Sequence, residues 1–175
     1  MPAVKPQAIS GVYAGRESVL ETVYPSISAS GIGRLIGSIC DSIPIRIAGV
    51  KLSYLLFGLP LAPLALAGYA VFKLFGDRYV ISTQSIKVIA AIGESLKGQA
   101  NIANIDDIAI DVKNGQSFYH AGDLVLLRAN GDELLRLPAV VRPDRLRHVI
   151  LETRDARQLS ASSLATIDAR QPQPA

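Results

Sequence analysis

Cysteine occurs once in the 175 residues, at Cys40. That excludes an intrachain disulfide and a metal cluster built on cysteine. An excess of one charge is also missing. The formal net charge is +3; residues 1–77 carry six Lys/Arg against four Asp/Glu, and residues 78–157 carry eleven against ten. Without a strongly basic domain there is no electrostatic footprint for nucleic acid, and none is expected as a partner. Residues 1–16 lack the apolar core that a cleaved signal peptide needs, so any later apolar segment is expected to stay. Catalytic signatures are absent too: no Ser-His-Asp order, no nucleophile elbow and no phosphate-binding glycine loop. His120 and His148 show no metal-ligand spacing. Asp106, Asp107 and Asp111 form a carboxylate cluster, but alternation puts Asp107 and Asp111 opposite Ile108 and Ile110, on the solvated side of a half-buried strand. No enzyme, cofactor or metal is expected, and no internal repeat is detectable.

Apolar sequence, by contrast, is plentiful. Mean hydropathy is +0.29, with the excess between Ile32 and Phe75. Leu52–Phe72 is twenty-one residues without a charge. As a helix it spans roughly 31 Å, close to the hydrocarbon thickness of a bilayer. Lys51 and Lys73 bracket it where snorkelling cations belong. Leu52, Leu55, Phe57 and Leu66 belong to its apolar surface, with Tyr54, Tyr69 and Phe72 as interfacial aromatics near its ends. Pro60 and Pro63 fall near the middle. A helix in water loses about 3 kcal/mol at each, whereas membrane helices tolerate proline with a kink. The expectation is a transmembrane anchor; the competing reading is the buried helix of a soluble domain, which is usually shorter and keeps a polar face.

The preceding segment, GIGRLIGSICDSI, places Ile32, Leu35, Ile36, Ile39, Cys40 and Ile43 on one helical stripe. Gly33, Arg34, Gly37, Ser38, Asp41 and Ser42 form the other face, and Pro44 is a stop signal. The stripe either lies in the membrane interface or packs on the protein's own core. A third reading makes residues 32–57 and 61–76 two spans with Pro60–Pro63 as the turn, at a cost of about 2.5–3.5 kcal/mol for each central charge among Asp41, Arg46 and Lys51.

After Phe75 the period changes to two. RYVIST, SIKVIAAIG, IDDIAIDV, QSFYH, DLVLLRAN and ELLRLPAV read as short strands, with hairpin signals at Asn114–Gly115 and Asn130–Gly131. RPDRLRHVILETRDAR reads as a helix, with Pro143 in its first turn, Asp144 at the positive end of its dipole, and Leu146, Val149, Ile150 and Thr153 as its buried stripe. Six or seven antiparallel strands followed by one helix predict a β-barrel capped by that helix. The expected organisation is an extended leader (1–30), an amphipathic helix and anchor (31–76), a β-rich domain (77–157) and a disordered tail (158–175).

RESVLETVYPS, the apolar region ending at Phe75, DRYVISTQSIKV, and the run from IDDIAIDV through GDLVLL and LLRLPAV to RPDRLRHVILETR occur in that order. The combination resembles the bacterial membrane-flanked pleckstrin-homology-like domains over residues 16–157. The resemblance implies a mainly β, PH-like fold and a non-enzymatic role. It departs from the family in its charged first apolar segment and its two central prolines. Eukaryotic phosphoinositide binders of this kind gather Lys/Arg around the first hairpin; ISTQSIK offers Lys87 alone, with Arg78 at its start. The C-terminal helix carries Arg142, Arg145, Arg147 and Arg154, candidates for contact with anionic lipid or a partner, set against Asp144, Glu152 and Asp155. The expected function is a membrane-anchored module that binds a protein partner or its own copies. Its cytoplasmic placement rests on Lys73, Arg78 and Lys87 following the anchor. A peripheral sensor of anionic lipid is the alternative.

Overall fold

The computed structural model describes residues 17–43, 46–47 and 49–170. The start of the leader through Arg16, the proposed stop at Pro44, the tail from Gln171 and the side chain of Phe72 lie outside the described residues.

Seven strands build two antiparallel sheets. The first has the order β1 (Val19–Val23), β4 (Asp77–Ser82), β5 (Ser85–Ala90), β6 (Leu96–Asn101). The second runs β7 (Asp107–Asp111), β8 (Ala121–Leu127), β9 (Glu133–Val141). A minimal hairpin, β2 (Arg46–Ile47) with β3 (Val50–Lys51), stands apart. Alternation decides which side chains face inward. Tyr79 and Ile81 of β4, Ile86 and Val88 of β5, Ile108 of β7, and Leu124 and Leu126 of β8 enter one core. The Tyr79 hydroxyl donates to the carbonyl of Pro138 at 2.9 Å, tying the first sheet to β9.

The sheets do not close into the expected barrel. The edge of β9 shows why. Pro138 has no N–H to offer a ladder, Ala139 sits at φ +50, and its N–H is taken by the carboxylate of Asp123 at 2.9 Å. Its carbonyl accepts from the Ser26 N–H at 2.8 Å. The groups that would extend the sheet are therefore engaged locally, as at a bulged edge.

The helix α3 spans Pro143–Arg170, with Asp144 in its first turn. Leu146 and Ile150 are buried, as the stripe predicts, and Val149 and Thr153 are half-buried. It continues thirteen residues beyond the expected end at 157, into sequence read as a disordered tail. Leu159 there is 68% exposed, and residues 158–163 as a whole face outward.

Two loop expectations change. Asn130–Gly131 does join β8 to β9, in a turn closed by Gly131 N–H to Arg128 O at 2.9 Å. Asn114–Gly115 does not make a tight hairpin. Val112–His120 is a longer connection, and the QSFYH segment read as a strand forms a 3-10 turn at Ser117–Tyr119. The leader contributes β1, whose Val23 pairs with Tyr79. The β domain thus takes a strand from outside residues 77–157, and residues 24–76 are an insertion between two paired strands.

Candidate functional site

The insertion begins with a 3-10 turn at Ile27–Ala29 and the helix α1, Gly31–Asp41, capped by Ser30 Oγ accepting from Gly33 N–H at 3.0 Å. α1 docks along the border between its two expected faces. Gly33, Gly37 and Cys40 are buried, whereas Ile32 is 74% and Leu35 61% exposed; Ile36, Ile39 and Ile43 are half-buried. The cause is steric. A Cβ on Gly33 would lie 2.0 Å from the carbonyl oxygen of Ile27, and one on Gly37 would lie 2.1 Å from that of Gly115. Gly115, at φ +81, reciprocates against the carbonyl of Arg34 at 2.0 Å. Backbones can approach this closely only where no side chain intervenes. The signal was in the sequence, as two glycines four apart on one helix face, but the apolar stripe on the other face outweighed it.

The β7–β8 loop that receives α1 is held from beneath. Asp123, on β8 and 1% exposed, accepts from Gln116 Nε2 at 2.8 Å and Lys113 Nζ at 2.6 Å, and from the Ala139 N–H. Burial opposes its charge, but these donors prevail and hold its pKa below the usual carboxylate value. From the same loop the Tyr119 hydroxyl donates to the Gly33 carbonyl at 3.1 Å, and Ser117 donates to Asp41 at 2.6 Å. Asp41 also pairs with Lys51 at 2.6 Å.

Tyr54–Phe75 is a continuous helix of 22 residues, long and apolar enough to cross a membrane. It opens with a π-helical turn at Tyr54–Gly58 and continues as α2, Leu59–Phe75. The wide turn precedes Pro60, a residue that cannot donate back into the ladder. Pro63 is accommodated inside the helix. Of the expected anchor residues, Leu55, Pro60, Pro63, Leu66 and Tyr69 are exposed, and Leu52, Tyr54 and Phe57 are half-buried. Partial burial recurs at Tyr54, Phe57, Gly58, Leu61, Ala65 and Gly68, one stripe by which the helix leans on the protein. The buried-helix alternative is not met, since none of the apolar window is buried. At its start, the Tyr54 ring meets Phe118 edge-to-face at 5.2 Å, and Ser53 donates to the Cys40 carbonyl. Near its end, Lys73 lies over the Tyr69 ring at 5.9 Å.

The arginines of α3 do not converge. Arg145 pairs with Glu21 at 3.5 Å and Arg147 with Asp107 at 3.1 Å. Arg154 pairs with Asp155 at 2.7 Å and also donates to the Asp106 carbonyl. Arg142 and Arg145 line a groove of about 610 Å³ with Tyr24, Ile27, Tyr69 and Tyr119, where β1, α2 and the start of α3 meet. A second, open groove of about 830 Å³ lies between Asn104, Asp106, Arg128, Asn130 and Arg154. Lys87 is paired with Glu17 at 3.0 Å. Glu17 also accepts from Ser82 at 2.6 Å and Ser85 at 2.7 Å; these donors and Lys87 pull its pKa down to about 2. Nothing in the sequence alone marked Glu17.

No family model, curated protein or solved structure matches the chain.

The chemistry-bearing residues are dispersed. Asp111 pairs with Arg136 at 3.0 Å, and His148 meets Glu152 at 3.1 Å on the exposed face of α3. Burial pushes the Cys40 thiol's pKa up, with Asp41 adding to it. Among the described residues no group of three or more His, Cys, Asp or Glu is placed to hold a metal ion. The surface that the geometry does assemble is apolar. It consists of the outward sides of the long helix and of α1.

Proposed function

We propose that the chain is a membrane-anchored, non-enzymatic interaction module of the pleckstrin-homology-like kind, which binds a protein partner or its own copies at the bilayer surface. The observation that carries this reading is the pairing of a two-sheet, helix-capped β domain with an apolar helix whose outward side chains are exposed. Leu59, Leu64 and Leu66 are 76%, 64% and 70% exposed. Burying one such side chain contributes about 2 kcal/mol, so water is a poor final environment for the row. The order of sheet, sheet and closing helix fits the PH-like class, as does a tyrosine-bearing strand after the apolar region. The edge strand β1, with Val19 63% and Leu20 46% exposed, offers a partner backbone to pair with. The cations Lys73 and Arg78, at the junction of helix and domain, favour a cytoplasmic domain.

Carbonate extraction of membranes carrying the full chain tests the anchor. The protein is expected in the pellet, and recovery in the supernatant would remove the anchor from the proposal. Crosslinking in the native membrane, with the β1 edge blocked by Leu20→Pro as the comparison, tests the partner site. An unchanged crosslinking pattern would move it elsewhere.

A second reading, a peripheral sensor of anionic lipid, is favoured by the groove where Arg142 and Arg145 stand beside Tyr69 of the apolar helix. Vesicle flotation with and without phosphatidylglycerol separates the two, because only the sensor requires the anionic lipid.

A further inference from the structure

The apolar helix is tied to the β domain at both ends, and this restricts how it can meet a bilayer. Val23 of β1 pairs with Tyr79 of β4, so the chain leaves the domain at residue 24 and returns at residue 76 on one side of any membrane. A single crossing is incompatible with that pairing. It would also place Tyr54 and Phe75 about 33 Å apart on opposite faces. Yet Tyr54 packs on Phe118 of the β7–β8 loop, and Phe75 is two residues from the start of β4. Two crossings need a second span before Tyr54. Among the described residues the α-helix there is α1, whose eleven residues reach roughly 16 Å, about half the hydrocarbon thickness. Gly37 fastens it to the domain by backbone contact with Gly115, and the Tyr119 hydroxyl holds the Gly33 carbonyl.

Resting on the membrane-anchored reading, we propose that Tyr54–Phe75 does not cross the bilayer but lies along its surface, with its outward face in one leaflet and the β domain seated above. The inward stripe leans on the Ile27–Ala29 turn and α1; a Cβ on Gly68 would lie 3.9 Å from the Ile27 side chain. The outward face, including Leu55, Leu59, Leu66 and Leu74, is exposed among the described residues. Ile92 continues the apolar surface at the tip of the β5–β6 turn; that turn follows Ala90, which pairs with Asp77 beside the helix end, and Ile92 is 68% exposed. Lys73 stands at the same end, where lipid phosphates would lie, beside Arg78 and Lys97, which are held by Glu94 and Asp77 at 2.6 Å each. A row of leucines bordered by Lys73 and by these ion pairs fits a lipid leaflet and its headgroups better than a protein groove, which would have to match both.

The test uses the full chain on phosphatidylcholine–phosphatidylglycerol vesicles. Leu55→Cys, Leu64→Cys and Leu74→Cys, all at exposed positions, carry a fluorophore, and the wild type controls for labelling of buried Cys40. Nitroxides at shallow and deep positions of the lipid chains are the quenchers. The expected result is the same shallow preference at all three sites. Deep quenching at Leu64 with shallow quenching at Leu55 and Leu74 would overturn the proposal while leaving the anchor intact. Side is read with a membrane-impermeant maleimide in sealed membranes. Val50→Cys, Leu64→Cys and Asp132→Cys are expected to react, if at all, only from the face that exposes Asp132→Cys. Reaction of position 50 or 64 from the opposite face means a crossing and refutes the in-plane helix. Val50→Cys lies outside the helix and decides between one crossing and none even if the helical variants misfold. Failure of the wild type to float with vesicles would defeat both this proposal and the membrane reading beneath it.

Discussion

At the scale of single residues, glycine governs how the insertion meets the domain. Gly37 and Gly115 touch backbone to backbone, so Gly37→Ala must separate them or distort the β7–β8 loop. Overpacking of this kind costs about 1–3 kcal/mol, and urea titration should show a loss in that range. Gly31→Ala is the control. Nothing lies within 4 Å of its Cβ position, and at the start of α1 it should be neutral or stabilise slightly through better helix propensity. Equal losses in the two variants would mean that α1 does not dock through its glycines. Glu17 sets a different test. Its folded pKa is lowered from 4.5 to about 2, first by Ser82, then by Ser85 and Lys87. A depressed carboxylate pKa contributes stability that is fully present above the unfolded value and is lost as pH falls through the folded one. Amide exchange in β1 should therefore accelerate, relative to the rest of its sheet, between pH 4.5 and about 2. Glu17→Gln should remove that pH dependence. A β1 protection profile that falls in step with the whole sheet would deny Glu17 its role as the clasp.

Elements show how far the sequence could be read. The strands of β4, β5, β7, β8 and β9 and the stripe of α3 follow from period-two and helical patterning, because in each the apolar face is the buried face. α1 broke that correspondence in part: Ile32 and Leu35 of its apolar stripe point outward while Cys40 of the same stripe is buried, since Gly37 lets its backbone sit closer to the β7–β8 loop than any leucine could. Asn114–Gly115 broke it as well. The pair has the local chemistry of a hairpin turn, but the positive φ of Gly115 is spent on contact with Arg34, and Gln116 is drawn inward by Asp123. Closure of the barrel was not legible, because it depends on how Pro138 and Ala139 use their backbone groups, a matter of tertiary pairing. The interaction of α3 with the core gives a paired prediction. Ile150 is fully buried, so Ile150→Asp puts an unpaired charge against both sheets and should cost roughly 3–5 kcal/mol. Ending the chain after Gln158 should leave the melting temperature within a degree or two, since surface segments away from the core contribute about 0.5 kcal/mol or less. Just before that point the helix is held by Arg157, which donates to the Gln84 carbonyl at 3.4 Å. A large loss on truncation would show that the exposed end of α3 has a partner, most simply a second copy of the chain.

For the whole molecule the question is whether charge or apolar area governs attachment to a membrane. The charges are largely engaged within the protein. Lys87, the one cation inside the first hairpin, is held by Glu17; Arg145, Arg147 and Arg154 are held by Glu21, Asp107 and Asp155. A multiply phosphorylated headgroup is recognised by several cations that converge and bond in pairs, and these four point to four different carboxylates. Phosphoinositide vesicles should therefore bind no more tightly than phosphatidylglycerol vesicles of matched charge, and Lys87→Ala should change neither. Apolar area behaves otherwise. Placing Asp at Leu59 and at Leu66 removes two exposed leucines, each worth about 2 kcal/mol when buried, and adds charge to the face that meets lipid. Vesicle affinity should fall at least about thirtyfold for each change, since 1.4 kcal/mol corresponds to a factor of ten. Raising salt from 0.1 M to 1 M shortens the Debye length from about 10 Å to 3 Å, yet it should weaken binding by less than either substitution. Flotation across a salt series, run on the wild type, Lys87→Ala and the two leucine variants, measures both effects together. Binding that collapses with salt but survives Leu59→Asp and Leu66→Asp would reverse the ranking and make the arginine-lined groove, rather than the helix, the surface by which this protein reaches a bilayer.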